Sequence, residues 1–524
     1  MSPCDDILRV LGGLEASAGS VVVAENAGAL FLDGRYTVAA KKYVDPSKFK
    51  IFPHEFFPMV DWICQNIPPD VAIGYDPRFY SHAEYKKLQE ALPLHQWTAL
   101  DLRKTLGIVV PPRELHIYHM PINRTKEKLE YVREVIFRHK LDAYLLCDPS
   151  SVCWVMDVRD LEAAYAPLVL GHLLVTKDDE MAIYLDESYV FDETNVIRSK
   201  GRLGDVLKKY HLIGLDPNET PASIQHPNIL PIRNPCLLPK ALKTTGEMAN
   251  IKCAALQDSV ALINFLHWIY THQANGVTEL AAAEKSLYFR KMQPNFLGES
   301  FPCIAAADEN SAIVHYSPNK SCHKKIEKIL LLDSGGQYKH GTTDITRTIC
   351  FTEPGEKPRL LYTLVLKGHI ALASAKIPAG SGGARLDSLA RQFLWGRFLD
   401  YNHSTGHGIG YMADVHEGPM ALASCNDIPL EHGMVLSNEP GCYLENDFGV
   451  RLENMMMVSE VMDGFLMFET ISLVPFDMNF MLPQLLTAEE IAWLNRYHQL
   501  VLDSVADKLS TETNLWLRSY CHIL

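Results

Sequence analysis

The sequence predicts an α+β protein in which two smaller α/β domains precede a duplicated C-terminal domain. Three observations predict this fold class. Helical and strand-like apolar patterns alternate over the first 240 residues. Proline-rich stretches interrupt that part of the chain twice. Beyond it, the order helix, helix, strands occurs two times, with a period too long for a solenoid, which indicates one pseudo-symmetric domain.

The two smaller domains are bounded by the proline-rich stretches. Residues 1–121 are the expected N-terminal α/β domain, apparently shortened at its start, and the stretch VVPPRELHIYHMPINR has the composition of a linker. Residues 122–240 are the expected second α/β domain. It opens with the helical pattern KEKLEYVREVIFRHK, continues into strand candidates and ends at HPNILPIRNPCLLPK.

Residues 241–524 are the expected duplicated domain, with a helical extension at its C-terminus. Thr244 and Glu247 form a Thr-x-x-Glu capping box, and Thr487 and Glu490 cap the last helix in the same way. The elements predicted between them are a helix to about residue 272, a helix after residue 278, strands over 301–351, helices over about 357–375 and 384–399, and strands over 401–475.

Composition narrows the class of function. The formal net charge is −14, which argues against nucleic acid as a partner because phosphate binding needs a basic surface. We find no apolar run of about 18 residues and no secretory leader, so we expect no membrane span. The 12 cysteines are scattered without a C-x-x-C pair, which is typical of a cytoplasmic protein with reduced thiols.

The first motif with chemical content is KILLLDSGGQYKHGTTDITRTICF. Asp333 ends an apolar run and Asp344 opens the next one, so the two carboxylates can face one space across a probable hairpin. An arbitrary aspartate pair of this kind is usually a pair of turn residues. Here Asp333 directly follows four residues of the buried type, and a buried carboxylate is costly unless it is paired or bound to a metal.

The second motif, YNHSTGHGIGYMADVHEGP, holds His403, His407 and His416 among glycines that let the backbone approach closely. A single histidine is more often a core or surface residue, but three in such a segment favour ligands or acid–base groups. In the third motif, GMVLSNEPGCYLENDFGVRLENMMMV, Glu439 ends a short apolar strand. Arg451 and Glu453 lie two residues apart in a strand-like run, where they share one face, as a functional pair or a simple ion pair.

Together these motifs supply four carboxylates and at least one histidine. An oxygen-rich set suits a hard or borderline ion such as manganese. Four carboxylates carry more charge than one divalent ion neutralises, so two ions about 3.5–4 Å apart fit better. Nucleophilic catalysis fits less well, because the chain has no G-x-S-x-G elbow and no cysteine in a catalytic context. A P-loop and a dinucleotide-binding glycine motif are also missing.

These motifs resemble the metallopeptidase family of methionine aminopeptidase, prolidase and aminopeptidase P. In particular, the chain is similar to the cytosolic, three-domain type of aminopeptidase P. The likeness extends over nearly the whole chain and includes DGRY at 33–36, FPCI at 301–304, HYSP at 315–318 and EIAWLNRYH at 490–498. It implies a pita-bread fold for the catalytic domain and hydrolysis of the bond between an N-terminal residue and a following proline, through a hydroxide that bridges two divalent ions.

The resemblance also implies a role for each residue. The implied metal ligands are Asp333, Asp344, His407, Glu439 and Glu453, with Asp344 and Glu453 bridging both ions. His416 would stabilise the charge that develops at the scissile carbonyl, while His315 and His403 would hold the substrate and its proline ring. Arg451 would orient the bridging carboxylates. All three histidines therefore count as catalytic and substrate-binding candidates.

The first domain departs from the family pattern. The family tends to place an arginine pair before a GSAG-like segment, whereas this chain has Ile7 and Leu8 there, with Arg9 next, before ASAG at 16–19. Because the pair is linked to substrate binding in the family, Arg9 is the candidate that replaces it.

The resemblance implies two Mn²⁺ ions, with Co²⁺ or Zn²⁺ as alternatives, short peptides with proline at the second position as substrates, and a homodimer. Two other functions stay open on the sequence. A prolidase would share the ligands and cleave only dipeptides. A metal-free pita-bread protein would act as a binding module, but such proteins lose ligands, and all five candidates are present here.

Overall fold

The computed structural model describes residues 7–14, 16, 18–178, 180–186, 188–190, 202–462 and 464–522. They form two compact units. The N-terminal unit holds residues up to 163 together with 168–240, and the C-terminal unit holds Ala164–Pro167 together with Ala241–Leu524. Within the described ranges, no helix is both long enough and apolar enough to cross a bilayer.

The first half of the N-terminal unit is built on a small sheet in the order β1-β2-β3, and β2 at its centre is buried at every position. Its buried face packs against Trp62, Ile63 and Leu92. The elements of this half are α1 (Ile7–Gly12), β1 (Gly19–Val23), β2 (Gly28–Leu32), α2 (Thr37–Tyr43), β3 (Phe49–Pro53), α3 (Phe56–Asn66), β4 (Ile73–Tyr75), α4 (His82–Ala91), β5 (Trp97–Ala99) and α5 (Leu102–Thr105).

The second half of this unit surrounds a five-stranded mixed sheet in the order β11-β10-β8-β13-β14. Two short strands, β6 and β7, occupy the segment that the sequence predicts as a linker. The elements are β6 (Arg113–Glu114), β7 (Ile117–His119), α6 (Thr125–His139), β8 (Ala143–Leu146), α7 (Pro149–Met156), β9 (Val158–Asp160), β10 (Gly171–Thr176), β11 (Met181–Leu185), β12 (Tyr189–Val190), α8 (Leu203–Leu207), β13 (Ile213–Leu215), β14 (Ile229–Pro231) and α9 (Leu237–Ala241).

The C-terminal unit contains the helix–helix–strands order twice, as the sequence predicts. Its first copy begins where the Thr244 hydroxyl accepts a hydrogen bond from the Glu247 backbone, the predicted capping box. The elements of this copy are α10 (Thr245–His272), α11 (Glu279–Lys291), β15 (Phe296–Glu299), β16 (Ile304–Ala307), β17 (Ile329–Ser334), β18 (Gly336–Tyr338), β19 (Gly341–Thr342) and β20 (Ile345–Cys350).

The second copy differs by a short strand between its two helices, and two further helices follow it. The second predicted capping box, Thr487 with Glu490, begins α14. The elements are α12 (Glu356–Ala373), β21 (Lys376–Pro378), α13 (Gly383–Trp395), β22 (Gly406–His407), β23 (Ala421–Leu422), β24 (Val435–Asn438), β25 (Gly441–Leu444), β26 (Phe448–Arg451), β27 (Asn454–Met462), β28 (Phe465–Thr470), α14 (Ala488–Val505) and α15 (Thr511–Tyr520).

The helices of the C-terminal unit cover its sheets. One large apolar cluster joins α10, α12 and α14 to β16, β17 and β20. Strands β16, β17 and β20 form an antiparallel sheet, and β21, β28, β27 and β24 form another. Several candidate site residues lie at the ends of these strands: Asp333 in β17, Asp344 before β20 and Glu439 after β24. The strand ends therefore bring the candidate site residues together.

Candidate metal centre

The two candidate aspartates lie at the ends of neighbouring antiparallel strands. Asp333 is near the end of β17 and pairs with Thr346 of β20, while Asp344 directly precedes β20. The β18–β19 hairpin connects them. Burial raises the pKa of Asp333 to about 6, and the negative charge of Asp344 adds to this, although Arg451 acts in the opposite direction.

His407 and Glu439 join the aspartates from β22 and from the end of β24. His407 Nε2 lies 3.4 Å from Asp344 Oδ2 and 3.3 Å from Glu439 Oε1. The close approach of β22 and β24 depends on Gly406, where a Cβ would lie 2.0 Å from the Ser437 carbonyl oxygen. Burial opposes a charge on His407, but the hydrogen bond with Asp344 and the charge of Glu439 raise its pKa to about 9.

Glu453 lies in the short link between β26 and β27 and is almost completely buried. Its Oε2 accepts a hydrogen bond of 2.7 Å from the Thr346 hydroxyl. Burial, followed by the charges of Asp344, Glu439 and Asp333, raises the pKa of Glu453 far above its ordinary value. For Glu439, burial and Asp344 raise the pKa to about 7 against the effect of His407.

The candidate ligand side chains are arranged so that they could bind divalent cations. Asp344, His407 and Glu453 each offer a ligand atom, and these three atoms lie within 4.8 Å of one another. Asp333 Oδ1 and Glu453 Oε1 are buried without a hydrogen-bond partner among the described residues. Raised carboxylate pKa values and unsatisfied buried oxygens are what a site built for cations shows when no cation neutralises it. The oxygen-rich donor set favours a hard or borderline metal.

Arg451, at the end of β26, is the fixed cation beside this group. It donates a hydrogen bond of 2.7 Å to Asp333 Oδ2, and its Nε lies 3.2 Å from the Thr346 hydroxyl that also donates to Glu453. The sequence predicts that Arg451 orients the bridging carboxylates. In the structure, it contacts Asp333 directly and reaches Glu453 only through Thr346.

His403 belongs to the same network through Tyr443. Arg451 Nη1 donates to the Tyr443 hydroxyl at 2.8 Å, and that hydroxyl lies 2.9 Å from His403 Nε2. His403 Nδ1 lies 2.8 Å from the Ser404 carbonyl oxygen, so this nitrogen carries the proton and Nε2 accepts from Tyr443. Burial and the charge of Arg451 lower the pKa of His403 to about 3, which keeps its ring neutral.

The other histidine candidates lie close to these residues. The His416 ring centroid is 4.2 Å from that of His407. His315 is near enough to His403 for its charge to lower the pKa of His403. Arg9 is an exposed residue of α1 in the N-terminal unit, and its role in substrate binding stays a prediction.

Arg347 links this site to the C-terminal helices. Its buried guanidinium donates to the carbonyl oxygens of Thr346, Glu453 and Val474, and its Nη2 lies 3.2 Å from the Tyr497 hydroxyl of α14. Arg347 therefore connects the backbone at Glu453 to Tyr497 of α14.

Sequence reasoning does not find Thr346, Tyr443 or Arg347. Thr346 lies two residues after Asp344, so the period of a strand puts both on one face, and this signal could have found it. Tyr443 and Arg347 act through partners that are distant in sequence, such as His403 and Tyr497, which no local pattern reveals.

Comparison with known proteins gives matches along most of the chain. The model of metallopeptidase family M24 matches residues 249–460, that of the C-terminal region of peptidase M24 matches 464–524, and that of the creatinase/prolidase N-terminal domain matches 116–247. An uncharacterised peptidase of Schizosaccharomyces pombe is 33% identical over 99% of this chain and 93% of its own length. The chain belongs to metallopeptidase family M24.

Other M24 relatives carry more specific names. Xaa-Pro aminopeptidase 1 of Dictyostelium discoideum is 30% identical over 97% of this chain and 89% of its own length. A crystal structure of X-prolyl aminopeptidase from Caenorhabditis elegans, described as a cytosolic enzyme with a di-nuclear active site, matches 99% of this chain and 92% of its own with a TM-score of 0.90 and 30% identity. The predicted pita-bread fold and the resemblance to aminopeptidase P are confirmed.

A prolidase-type M24 structure matches less of the chain. The Xaa-Pro dipeptidase from Bacillus anthracis covers 67% of this chain and 99% of its own, with a TM-score of 0.54 and 26% identity. This match leaves about a third of the present chain uncovered.

Proposed function

We propose that this M24 protein is a metal-dependent aminopeptidase that removes the first residue from peptides with proline at the second position. The observation that carries the proposal is the convergence of Asp344, His407 and Glu453 on one buried point, with Asp333 and Glu439 coupled to it by charge. The Dictyostelium and Caenorhabditis relatives, which match nearly the whole chain, support the proline specificity.

We propose Asp333, Asp344, His407, Glu439 and Glu453 as the ligands of two divalent ions. Four carboxylates carry four negative charges when ionised, which two divalent ions balance. Such ions, when bound, lower the pKa of a water molecule and polarise a carbonyl group. Asp344 and Glu453 are the proposed bridging ligands, and the free amine of the substrate would lie beside the metal centre. A requirement for that amine makes the enzyme an exopeptidase.

The other site residues act on the peptide. His416, whose ring lies beside that of His407, is proposed to donate a hydrogen bond to the oxygen on which negative charge develops. His403 is held neutral by burial and receives a hydrogen bond from Tyr443, so it presents a fixed, uncharged ring to the proline of the substrate. His315 is proposed to help bind the same part of the peptide.

Several finer points belong to this proposal. Manganese is the proposed metal because the donors are mostly oxygen atoms, with cobalt or zinc as alternatives. Short proline-containing peptides are the proposed substrates, and a homodimer is the proposed assembly. A cytoplasmic location follows from the description of the Caenorhabditis enzyme as cytosolic. The three-domain division at residues 121 and 240 is part of the same proposal.

The test measures release of the first residue from Arg-Pro-Pro and from Gly-Pro, with and without added manganese, using protein purified without chelators. We expect manganese-dependent release of arginine from the tripeptide. Cleavage of the dipeptide alone would instead identify a prolidase, and no metal-dependent cleavage of either peptide would identify a binding module.

A further inference from the structure

Four residues, Ala164–Pro167, group with the C-terminal unit although the chain on both sides of them groups with the N-terminal unit. We call these four residues the strap. The proposed function gives the strap no role, and none of the sequence motifs includes it.

The strap contains a strained turn at a large residue. The backbone N–H of Ala166 donates to the carbonyl oxygen of Ala164 at 2.8 Å, and Tyr165 between them has a φ of 65°. A three-residue turn with a positive central φ is rare, and an aromatic residue in this conformation is a clear outlier. Such conformations persist where the surroundings impose them, and they cluster at functional sites.

Gln337 imposes this conformation from the hairpin that connects Asp333 and Asp344. Its amide Nε2 donates to the Tyr165 carbonyl oxygen at 2.8 Å and to the Ala413 carbonyl oxygen at 2.9 Å. Its Oε1 accepts from the Thr342 hydroxyl at 2.8 Å, which fixes the orientation of the amide. One buried side chain therefore holds the strap against the backbone at Ala413.

Ala413 belongs to the loop that carries His416. The loop is closed by a hydrogen bond of 3.0 Å from the Gly410 N–H to the Asp414 carbonyl oxygen, and Met412 within it has a φ of 48°. The strap and this loop thus each contain a non-glycine residue in the left-handed region, on either side of the same amide. The strained residues Tyr165 and Met412 thus flank the Gln337 amide, and Ala413, which this amide also contacts, lies three positions before His416. This arrangement indicates that the contact of the strap with the loop serves the substrate site.

We propose that Tyr165 is a specificity-determining residue that contacts the third residue of a peptide substrate. This inference rests on the proposed function. In the proposed function, the free amine would lie at the carboxylates and the scissile bond at His416, and the residue after proline would then pass the loop to which the strap is bound. Tyr165 is 43% exposed there, and an aromatic ring offers a flat apolar surface that suits a peptide backbone.

The experiment compares Tyr165→Gly with the wild type on Ala-Pro-Ala, Ala-Pro-Ala-Ala and Ala-Pro-amide, the last of which has no third residue. Glycine accepts a φ of 65° without strain, so the variant loses the ring and keeps the strap. We expect kcat/KM to fall about fivefold on the two longer peptides, mainly through KM, and to stay unchanged on the amide. If the amide is turned over slowly, its inhibition constant against Ala-Pro-Ala replaces kcat/KM.

Two further variants complete the design. Tyr165→Phe keeps the ring and should behave as the wild type. Tyr288→Ala, which removes a tyrosine that is 49% exposed on α11, should leave all three constants unchanged. Equal losses on all substrates, or none, in Tyr165→Gly would refute the role of Tyr165 while the wild type still cleaves. A wild type that cleaves none of the peptides overturns the proposed function itself, and this inference with it.

Discussion

Among single residues, Asp344 is the side chain on which the candidate site depends most. Its Oδ2 lies 3.4 Å from His407 Nε2, it shares a potential ligand point with Glu453, and its charge raises the pKa of Asp333 and Glu439. Each of these effects requires an ionised carboxylate at this position. An amide of the same shape would keep the packing and lose the charge.

Asp344→Asn should therefore reduce kcat by more than about a hundredfold and lower the bound metal below two ions per chain. Far-ultraviolet circular dichroism should stay unchanged, because the substitution conserves shape. Steady-state kinetics and elemental analysis of the purified variant measure both effects. Asp447→Asn, which alters a surface ion pair with Lys357, is the matched control and should be neutral. Near-normal turnover in Asp344→Asn would contradict its bridging role.

The sequence points to the candidate ligands because Asp333 and Glu439 end apolar runs, Asp344 opens one, and the family resemblance implies His407 and Glu453. It could not predict how they are held. Arg451 and Glu453 were expected on one face of a single strand, whereas Arg451 ends β26 and Glu453 lies in the link to β27. They nevertheless meet, because the Thr346 hydroxyl of β20 lies between them. That contact depends on strand pairing over a long sequence separation.

Among the elements, the segment before α10 and the segment after His416 are joined by a buried ion pair. Lys243 Nζ donates to Glu417 Oε1 at 2.8 Å, and both side chains are almost fully buried. The backbone N–H of Glu417 in turn donates to the Gly408 carbonyl oxygen at 2.8 Å. The residues next to His407 and His416 are thus tied to the segment that leads into α10.

Removing only the charge of Lys243 should lower the free energy of unfolding more than removing the charges of both Lys243 and Glu417. Lys243→Met leaves a buried carboxylate without a cation and should lower the free energy of unfolding by about 3–5 kcal/mol. Adding Glu417→Gln should recover much of this loss, since a neutral amide is less costly to bury. Urea unfolding gives the free energy of unfolding of the wild type, of Lys243→Met and of the double variant. Lys252→Met breaks a half-exposed pair with Glu469 and should cost at most about 1 kcal/mol. A similar loss in both single variants would show that the buried pair is not special.

The sequence predicts the helices and strands correctly where their patterns extend over many residues. Both capping boxes begin the helices expected of them, and the two copies of the helix–helix–strands order are present. Short strands were missed. Strands β6 and β7 lie in a segment read as a linker, and β21 lies between α12 and α13. Two or three residues show no periodicity, so only pairing with a distant strand defines them.

At the scale of the whole molecule, the candidate ligands span residues 333–453 and so bring both copies of the helix–helix–strands order to one point. Ions that bind only the folded chain stabilise it by mass action. Manganese at 100 times its dissociation constant should raise the free energy of unfolding of chelator-treated protein by about 2.7 kcal/mol for each ion bound. Thermal unfolding with and without the ion measures this. Asp344→Asn should show a much smaller rise, and an equal rise in both proteins would place the binding elsewhere.

Arg347 gives the last helices a part in building the catalytic centre. The guanidinium that supports the backbone at Glu453 also reaches the Tyr497 hydroxyl, so the support is complete only when α14 has docked. During synthesis, a ribosome must extend the nascent polypeptide well past Tyr497 before this can happen. A product that ended before Tyr497 would carry every candidate ligand and still lack this support for the backbone at Glu453.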